Sequence, residues 1–225
     1  MAIHSKNIIT SCDQKFNQWL AGFFDANGSY IIKKKKNFSF FSCYIKIPFD
    51  FIKSSVIFSK RLGGKIIENK KNKYIYVLNK DADIVNLIHK INGNIRSTQR
   101  ISGFIKMCTF FNIVYLPAIP LTLENGWYSG FFDAKGVIVA DWFAKYRGGF
   151  TFKFSDKHLK NVKFFNVFGG DIIFLKTNYG GFMWKITDNF DIIFKYFSQY
   201  PLKSSKHTSY LFLLYKFKRN KLIKN

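Results

Sequence analysis

The chain has 225 residues, and 48% of them are hydrophobic, which excludes a disordered chain and is enough for a folded core. Its 36 Lys and Arg residues outnumber its 13 acidic residues, so its formal net charge is +23. A folded protein this basic needs a polyanion to relieve its self-repulsion, so we expect either nucleic acid or an acidic membrane surface as a partner. The longest apolar run, at 109–121, is too short to span a bilayer and contains Pro117 and Pro120. We therefore expect no membrane-spanning segment.

Each half of the chain is predicted to follow the order αββαββα, with a further helix at its end. Helices are predicted where a periodic apolar segment ends at glycine, and strands where aromatic and β-branched residues are dense. In the first half the predicted elements are helix 13–26, strands 29–36 and 37–47, helix 49–61, strands 65–68 and 73–78, and helices 81–91 and 97–111. The same order is predicted for the second half, from about 122 to 218.

The halves are related by an internal duplication. The sequence WLAGFFDANG at 19–28 returns as WYSGFFDAKG at 127–136, and the offset of 108 residues also aligns Asp83 with Asp191. Pro117 and Pro120 lie in the predicted linker, at about 113–121, because neither residue suits a helix interior. The chain is therefore predicted to have an N-terminal half, 1–113, and a C-terminal half, 114–225.

Residues 20–28 and 129–136 resemble the two copies of the LAGLIDADG motif of homing endonucleases. The resemblance implies a duplicated α+β fold, in which two saddle-shaped antiparallel sheets flank a pair of motif helices packed at a pseudo-twofold axis. Two motifs in one chain imply a monomer with internal pseudo-symmetry. Ala21, Gly22, Ser129 and Gly130 are small enough to let the two helix backbones approach closely.

The resemblance also implies that the sheets contact nucleic acid, since a two-stranded ribbon fits the DNA major groove. Any single lysine is somewhat more typical of an ordinary solvated face than of a binding site, but both halves are strongly basic. The candidate binding residues are Lys33, Lys34, Lys35, Lys36, Lys46, Lys65, Lys71, Lys73, Arg96, Arg100, Lys135, Lys145, Arg147, Lys153, Lys176, Lys185, Lys203 and Lys206. Of these, Arg96, Arg100, Lys203 and Lys206 precede or begin the final helix of each half, where the family contributes a basic residue to the active-site pocket.

Family members cleave DNA with divalent metal held by one acid per motif, at the position before the last glycine. Those positions here are Asn27 and Lys135. An amide is a weak ligand for Mg²⁺ compared with a carboxylate, and an ammonium group repels the ion. We therefore expect neither a catalytic residue nor a metal site. Asp25 and Asp133 lie two residues earlier, about 200° around the helix, so we expect them to bond nearby backbone amides at the helix end or to pair with a basic neighbour, rather than to replace the missing metal ligands.

Composition suggests where the protein acts. Phe occurs 28 times and Pro only 4 times, and the enriched residues have A/T-rich codons. With no recognisable targeting sequence at the N-terminus, this bias favours a protein encoded in an organelle and located in the mitochondrial matrix over the alternative, a nuclear or bacterial gene of extreme base composition. The three cysteines are far apart, which predicts free thiols in a reducing compartment.

The leading hypothesis is a nucleic-acid-binding protein without a cofactor or cleavage activity, with RNA favoured over DNA. It would serve as a group I intron maturase, or as a mitochondrial ribosome component beside ribosomal proteins. The alternative is an active, Mg²⁺-dependent, site-specific DNA homing endonuclease with unusual ligands. A folded remnant with no retained function is the third hypothesis.

Overall fold

The protein, seen in a computed structural model, is described over residues 11–35, 38–69, 73–141, 149–176 and 180–223. The predicted α+β duplication is confirmed, because each half contains a four-stranded antiparallel sheet and four α-helices within these residues. The first half consists of α1 (Ser11–Asn27), β1 (Gly28–Lys35), β2 (Phe38–Ile47), α2 (Val56–Leu62), β3 (Lys65–Asn69), β4 (Lys73–Leu78), α3 (Asp81–Ile91) and α4 (Thr98–Phe110). The second consists of α5 (Trp127–Lys135), β5 (Val137–Asp141), β6 (Gly149–Asp156), α6 (Leu159–Lys163), β7 (Asp171–Phe174), β8 (Phe182–Ile186), α7 (Asp191–Gln199) and α8 (Lys206–Ile223).

One predicted element differs from the structure. The expected helix 49–61 is split into two short 3-10 turns, Phe49–Phe51 and Lys53–Ser55, followed by the shorter helix α2. The Ser55 hydroxyl donates a hydrogen bond to the carbonyl of Ile52, and Ser55 N–H bonds the same oxygen. A serine that bonds a carbonyl three residues earlier competes with the α-helical pattern, so the regular helix starts only at Val56.

Both sheets have the same strand order, β1-β2-β4-β3 and β5-β6-β8-β7. In each, the second and fourth strands of the half lie side by side at the centre. Their inner faces pack on the helices through large apolar side chains, of which Tyr76 and Trp184 are buried at matching positions. The Tyr76 hydroxyl donates to the carbonyl of Gly63, and the Trp184 indole donates to that of Gly169 over 2.8 Å. The duplication thus extends to individual contacts in the core.

The motif helices α1 and α5 run parallel and form the contact between the halves. A Cβ atom added at Gly22 would lie 1.9 Å from the carbonyl oxygen of Trp127, and one at Gly130 would lie 1.7 Å from that of Trp19. Glycine inside a helix normally costs about 0.5–1 kcal/mol relative to alanine. Here the absence of a side chain lets the two backbones touch, which explains why both helices contain a glycine at the same point.

Within the described ranges, no helix has the length and apolar character needed to cross a bilayer.

Candidate nucleic-acid interface and motif-helix cleft

Asn27 is the last residue of α1 and lies where the two motif helices end between the sheets. Its side-chain amide nitrogen donates to two carbonyl oxygens, that of Lys46 in β2 at 3.2 Å and that of Ala134 in α5 at 3.3 Å. The side chain therefore ties the first sheet to the second motif helix. Asn27 has a packing role at the position where the family places an acid.

Lys135, the last residue of α5, forms an ion pair inside the second half. Its Nζ lies 2.5 Å from Oδ2 of Asp156, at the end of β6. The Asp156 side chain is only 1% exposed, whereas that of Lys135 is 30% exposed. Asp156 also accepts a hydrogen bond from the backbone N–H of His158 at 2.8 Å. The lysine is therefore neutralised by a partner within the protein, which the sequence did not reveal.

These residues do not fit a divalent cation. Mg²⁺ prefers carboxylate oxygens, but the amide of Asn27 donates into the protein and the ammonium of Lys135 occupies the other position. The one carboxylate beside them, on Asp156, is already paired. In the described part of the chain, no group of three or more His, Cys, Asp and Glu side chains is arranged to hold a metal ion.

Asp25 and Asp133 are buried between the helices and bond groups from both halves. Asp25 Oδ2 accepts from the Trp127 indole at 2.8 Å and from the backbone N–H of Arg96 at 2.7 Å. Asp133 Oδ2 accepts from the Trp19 indole at 2.8 Å. Both acids bond backbone amides, but these amides lie outside their own helices, at Arg96 and Lys203, and not at the nearby helix end as expected.

Asp133 has more donors than Asp25. It also receives the backbone N–H groups of Lys203 and Ser204 and the hydroxyl of Ser204. Burial raises the pKa of Asp25 from 3.8 to about 6, although the bonds from Arg96 and Trp127 oppose the shift. Burial also raises the pKa of Asp133.

The hydrogen bonds from each tryptophan indole to the acid of the opposite motif helix were not predicted from the sequence. Trp19 and Asp25 are six residues apart, as are Trp127 and Asp133, which places each pair on different faces of its own helix. The repeated spacing was the available signal, because two parallel copies of such a helix can satisfy each acid from the opposite copy.

The outer face of the first sheet, which points away from the helices, combines lysines with apolar and aromatic residues. Cross-strand partners lie on the same face of a sheet. Lys46, Ile75 and Ile67 lie on the outer face, and so do Ile31 and its partner Ser42. Ile31 is 48% exposed and Ile67 42% exposed. Phe40, Tyr44, Lys65 and Lys73 belong to the same face by this alternation. We call these residues the first outer face. It is an apolar and aromatic surface with lysines among its side chains.

The second sheet is similar. Lys153 and Lys185 are cross-strand neighbours on its outer face, and Asp171 is the cross-strand neighbour of Lys185 on the other side. Val137 is the partner of Lys153 on the next strand. Lys176 is exposed in the loop after β7. The outer faces thus offer some positive charge beside exposed aliphatic side chains.

Arg96 and Lys206 are corrections to the list of candidate binding residues. Arg96 is only 5% exposed, and its guanidinium donates to the carbonyls of Asn94 and Ile119, which fixes the linker. Lys206 is buried, pairs with Asp50 at 2.6 Å, and donates to the carbonyl of Asp133. Both cations are used inside the fold, so neither is available to a ligand.

Two other candidates lie away from the outer faces. Lys203 lies near the start of α1, at the opposite end of the motif helices from Asn27. Arg100 is half-buried in α4, and its backbone carbonyl accepts a bond from the Tyr30 hydroxyl at 2.6 Å. Four further candidates lie outside the described residues: Lys36, Lys71, Lys145 and Arg147. For three more, Lys33, Lys34 and Lys35, only the backbone is described.

No protein-family profile matches the chain. It is similar to the intron-encoded RNA maturase bI4 of Saccharomyces cerevisiae, with 36% identity over 209 residues, which cover 90% of this chain and 32% of that protein. It is also similar to a probable intron-encoded endonuclease, aI2, of Debaryomyces hansenii, with 29% identity over 197 residues, which cover 80% of this chain and 30% of that protein. The chain thus spans about a third of the length of these relatives.

Among solved structures, the chain is similar to the LAGLIDADG meganuclease I-AabMI bound to uncleaved DNA. The TM-score is 0.63 at 15% identity, and the match covers 91% of this chain and 92% of that one. This likeness shows the fold.

Proposed function

This chain belongs to the LAGLIDADG homing-endonuclease family, and from that premise we propose that it binds RNA and does not cleave phosphodiester bonds. The observation that carries the proposal is the cleft, where an amide and a paired ammonium stand at the two metal positions. A net charge of +23 supplies the long-range attraction to a polyanion.

The first outer face supports RNA over duplex DNA. Base pairs in the major groove are read largely by hydrogen-bonding side chains, and the isoleucines Ile31, Ile67 and Ile75, which separate the lysines of this face, offer none. Unpaired bases in RNA loops stack on aromatic rings, and Phe40 and Tyr44 lie on this face. Lys46, in the same surface, can contact the backbone phosphates.

Within RNA binding, similarity to an RNA maturase favours assistance of intron folding over a ribosomal role. The proposal includes the mitochondrial location and the organelle gene inferred from composition. A ribosomal protein would co-sediment with mitochondrial ribosomes in moderate salt, and a maturase would not. Sedimentation of tagged protein from organelle lysate separates the two.

Filter binding tests the RNA preference. The ligands are RNA transcribed from the gene's own intron and neighbouring exons, and duplex DNA of the same sequence. Phe40→Ser with Tyr44→Ser should weaken RNA binding by roughly tenfold or more, since base stacking contributes about 1–3 kcal/mol per base. Phe49→Ser is the matched control, because Phe49 is 87% exposed and lies outside both sheets. Equal weakening by the control, or tighter binding to the duplex, would contradict the proposal.

A DNA endonuclease is the second candidate function, favoured by the similarity to a probable intron-encoded endonuclease and by the presence of Asp156 beside the cleft. Incubation of duplex containing the intron-insertion site with Mg²⁺ or Mn²⁺ tests it directly. Specific double-strand breaks would establish this function and refute the first.

Reversion of the cleft gives the sharpest test of why cleavage would be absent. Asn27→Asp with Lys135→Asp removes the ammonium and places two carboxylates beside Asp156. Calorimetry should then detect binding of Mn²⁺ that the original chain lacks. The matched control is Lys195→Asp, which makes the same change on the exposed surface of α7.

A further inference from the structure

A pocket lies between the halves, toward the N-terminal end of the motif helices and away from the cleft. It has a volume of about 390 Å³ and is lined by Cys12, Lys15 and Arg61 from the first half and by Tyr200 and Lys203 from the second. Lys15 precedes the cleft residue at position 27 by twelve residues, or about 18 Å along a helix. The pocket is therefore separate from the candidate nucleic-acid interface.

Two of the lining cations are held in place by aromatic rings. Lys203 Nζ lies 5.6 Å from the ring centre of Trp19, and Lys15 Nζ lies 5.2 Å from that of Tyr200. Each contact crosses from one half to the other. A cation above a ring keeps its charge while its side chain is already ordered. Lys15 Nζ also donates to the carbonyl of Gln199 at 3.5 Å, which leaves its other N–H groups for a ligand.

Positive charge is in excess around this pocket. Arg61 pairs with Asp13 at 2.9 Å, but none of the described lining residues is acidic. Residues 1–10, which precede the pocket in the chain, contain no Asp or Glu either. Burial lowers the pKa of Lys203, attraction to the buried Asp133 opposes that shift, and repulsion from the nearby Arg61 adds a smaller contribution. An anion between them would relieve that repulsion.

We propose that this pocket binds a phosphate group, carried either by a free nucleotide or by an RNA strand. Three cations from two halves can surround the oxygens of one phosphate with charge-assisted hydrogen bonds. The motif helix α5 also begins here, at Trp127, so the positive end of its dipole points to this side. The volume is in the range of sites for small ligands. The proposal does not rest on RNA binding by the outer faces.

Cys12 provides a direct measurement of occupancy. It is exposed and lines the pocket, whereas the other two cysteines of the chain, Cys43 and Cys108, are buried. A neutral maleimide should therefore label Cys12 first. Inorganic phosphate, AMP and a short RNA are added separately, each compared with chloride at the same ionic strength. We expect at least one of them to slow labelling of Cys12 several-fold. Protection by phosphate or AMP identifies a free ligand, and protection by RNA alone identifies a backbone phosphate.

Lys15→Met with Lys203→Met should abolish the protection, because methionine keeps the stem over each ring and removes the charge. Lys195→Met, on the exposed surface of α7, is the matched control and should keep it. Thermal unfolding of each variant verifies the fold. Undiminished labelling with all three ligands, or equal protection in the double variant, would overturn the proposal. RNA binding by the Phe40 and Tyr44 variants is measured separately, so failure here is distinguishable from failure of the proposed function.

Discussion

In the middle of the motif helix pair the two halves form the same contacts, whereas at the cleft end they form different ones. Each helix places a glycine against the other backbone, and each tryptophan donates its indole to the acid of the opposite helix. At the cleft, Asn27 bonds two carbonyls, while Lys135 pairs with Asp156.

The difference separates two requirements of one motif. The middle of the helix pair joins the halves. Replacing a glycine there creates a clash, and replacing a tryptophan removes a hydrogen bond from a buried acid. At the cleft end each side chain needs only a hydrogen-bond or ion-pair partner near it. The two halves provide different partners, carbonyl oxygens for Asn27 and a carboxylate for Lys135. A motif can therefore keep its packing residues and lose the positions used for metal.

The largest effect is expected at the helix crossing. Gly22→Ala or Gly130→Ala places a methyl group within 2 Å of a carbonyl oxygen, which the two packed helices can relieve only by separating. We expect the free energy of unfolding to fall by more than about 4 kcal/mol, or the chain not to fold. Urea unfolding measures this. Ser59→Ala, at an exposed position of α2, should change the stability little. A near-normal midpoint for either glycine variant would show that the helices are further apart.

The next effect concerns pH. The pKa of Asp25 is about 6 in the folded chain, against 3.8 as its ordinary value, so the folded state binds the extra proton between these values. Stability should therefore fall as pH rises from about 4 to 6, by up to about 3 kcal/mol at 1.36 kcal/mol per pKa unit. Asp133 contributes with the same sign. Asp25→Asn should flatten this part of the profile, because its amide oxygen can still accept from Trp127 and Arg96. An unchanged slope would mean that Asp25 is not the titrating group.

Much of the fold was predictable from the sequence because duplication repeats every local signal. Helix 81–91 was predicted with the bounds observed for α3, and strand 73–78 with those of β4. Glycine at 63 and 64 marked the end of a helix, and both have positive φ in the structure. The expected helix 49–61 was wrong over its first half, since side-chain bonding by Ser55 is not visible in hydrophobic periodicity.

The candidate site was less predictable, because it depends on contacts between distant residues. Motif spacing located Asn27 and Lys135, but Asp156 comes from a strand 21 residues later and has no equivalent acid in the first half. Arg96 and Lys206 looked like surface cations by residue type alone. Their burial follows from the linker and from Asp50, which only the tertiary structure brings near.

The two indole hydrogen bonds have the same geometry but should contribute differently to the free energy of unfolding. Trp127→Phe leaves Asp25 with the Arg96 amide, whereas Trp19→Phe leaves Asp133 with three donors from Lys203 and Ser204. Losing a bond to a buried charged group costs about 2 kcal/mol, and more when fewer donors remain. We expect Trp127→Phe to destabilise the chain more than Trp19→Phe, and to raise the pKa of Asp25 further. Denaturant unfolding at pH 7 compares them, and the reverse order would show that ring packing outweighs the hydrogen bond.

The smallest effect is expected at the cleft end. Lys135→Met removes a partially exposed cation and leaves Asp156 with the His158 backbone amide and the Asn161 side chain, so we expect a loss of only about 1 kcal/mol at pH 7. Asp156→Asn in the same background should recover part of it, since the asparagine oxygen still accepts from the His158 amide. If Lys135→Met instead cost as much as a glycine substitution at the helix crossing, the cleft end would be as constrained as the middle.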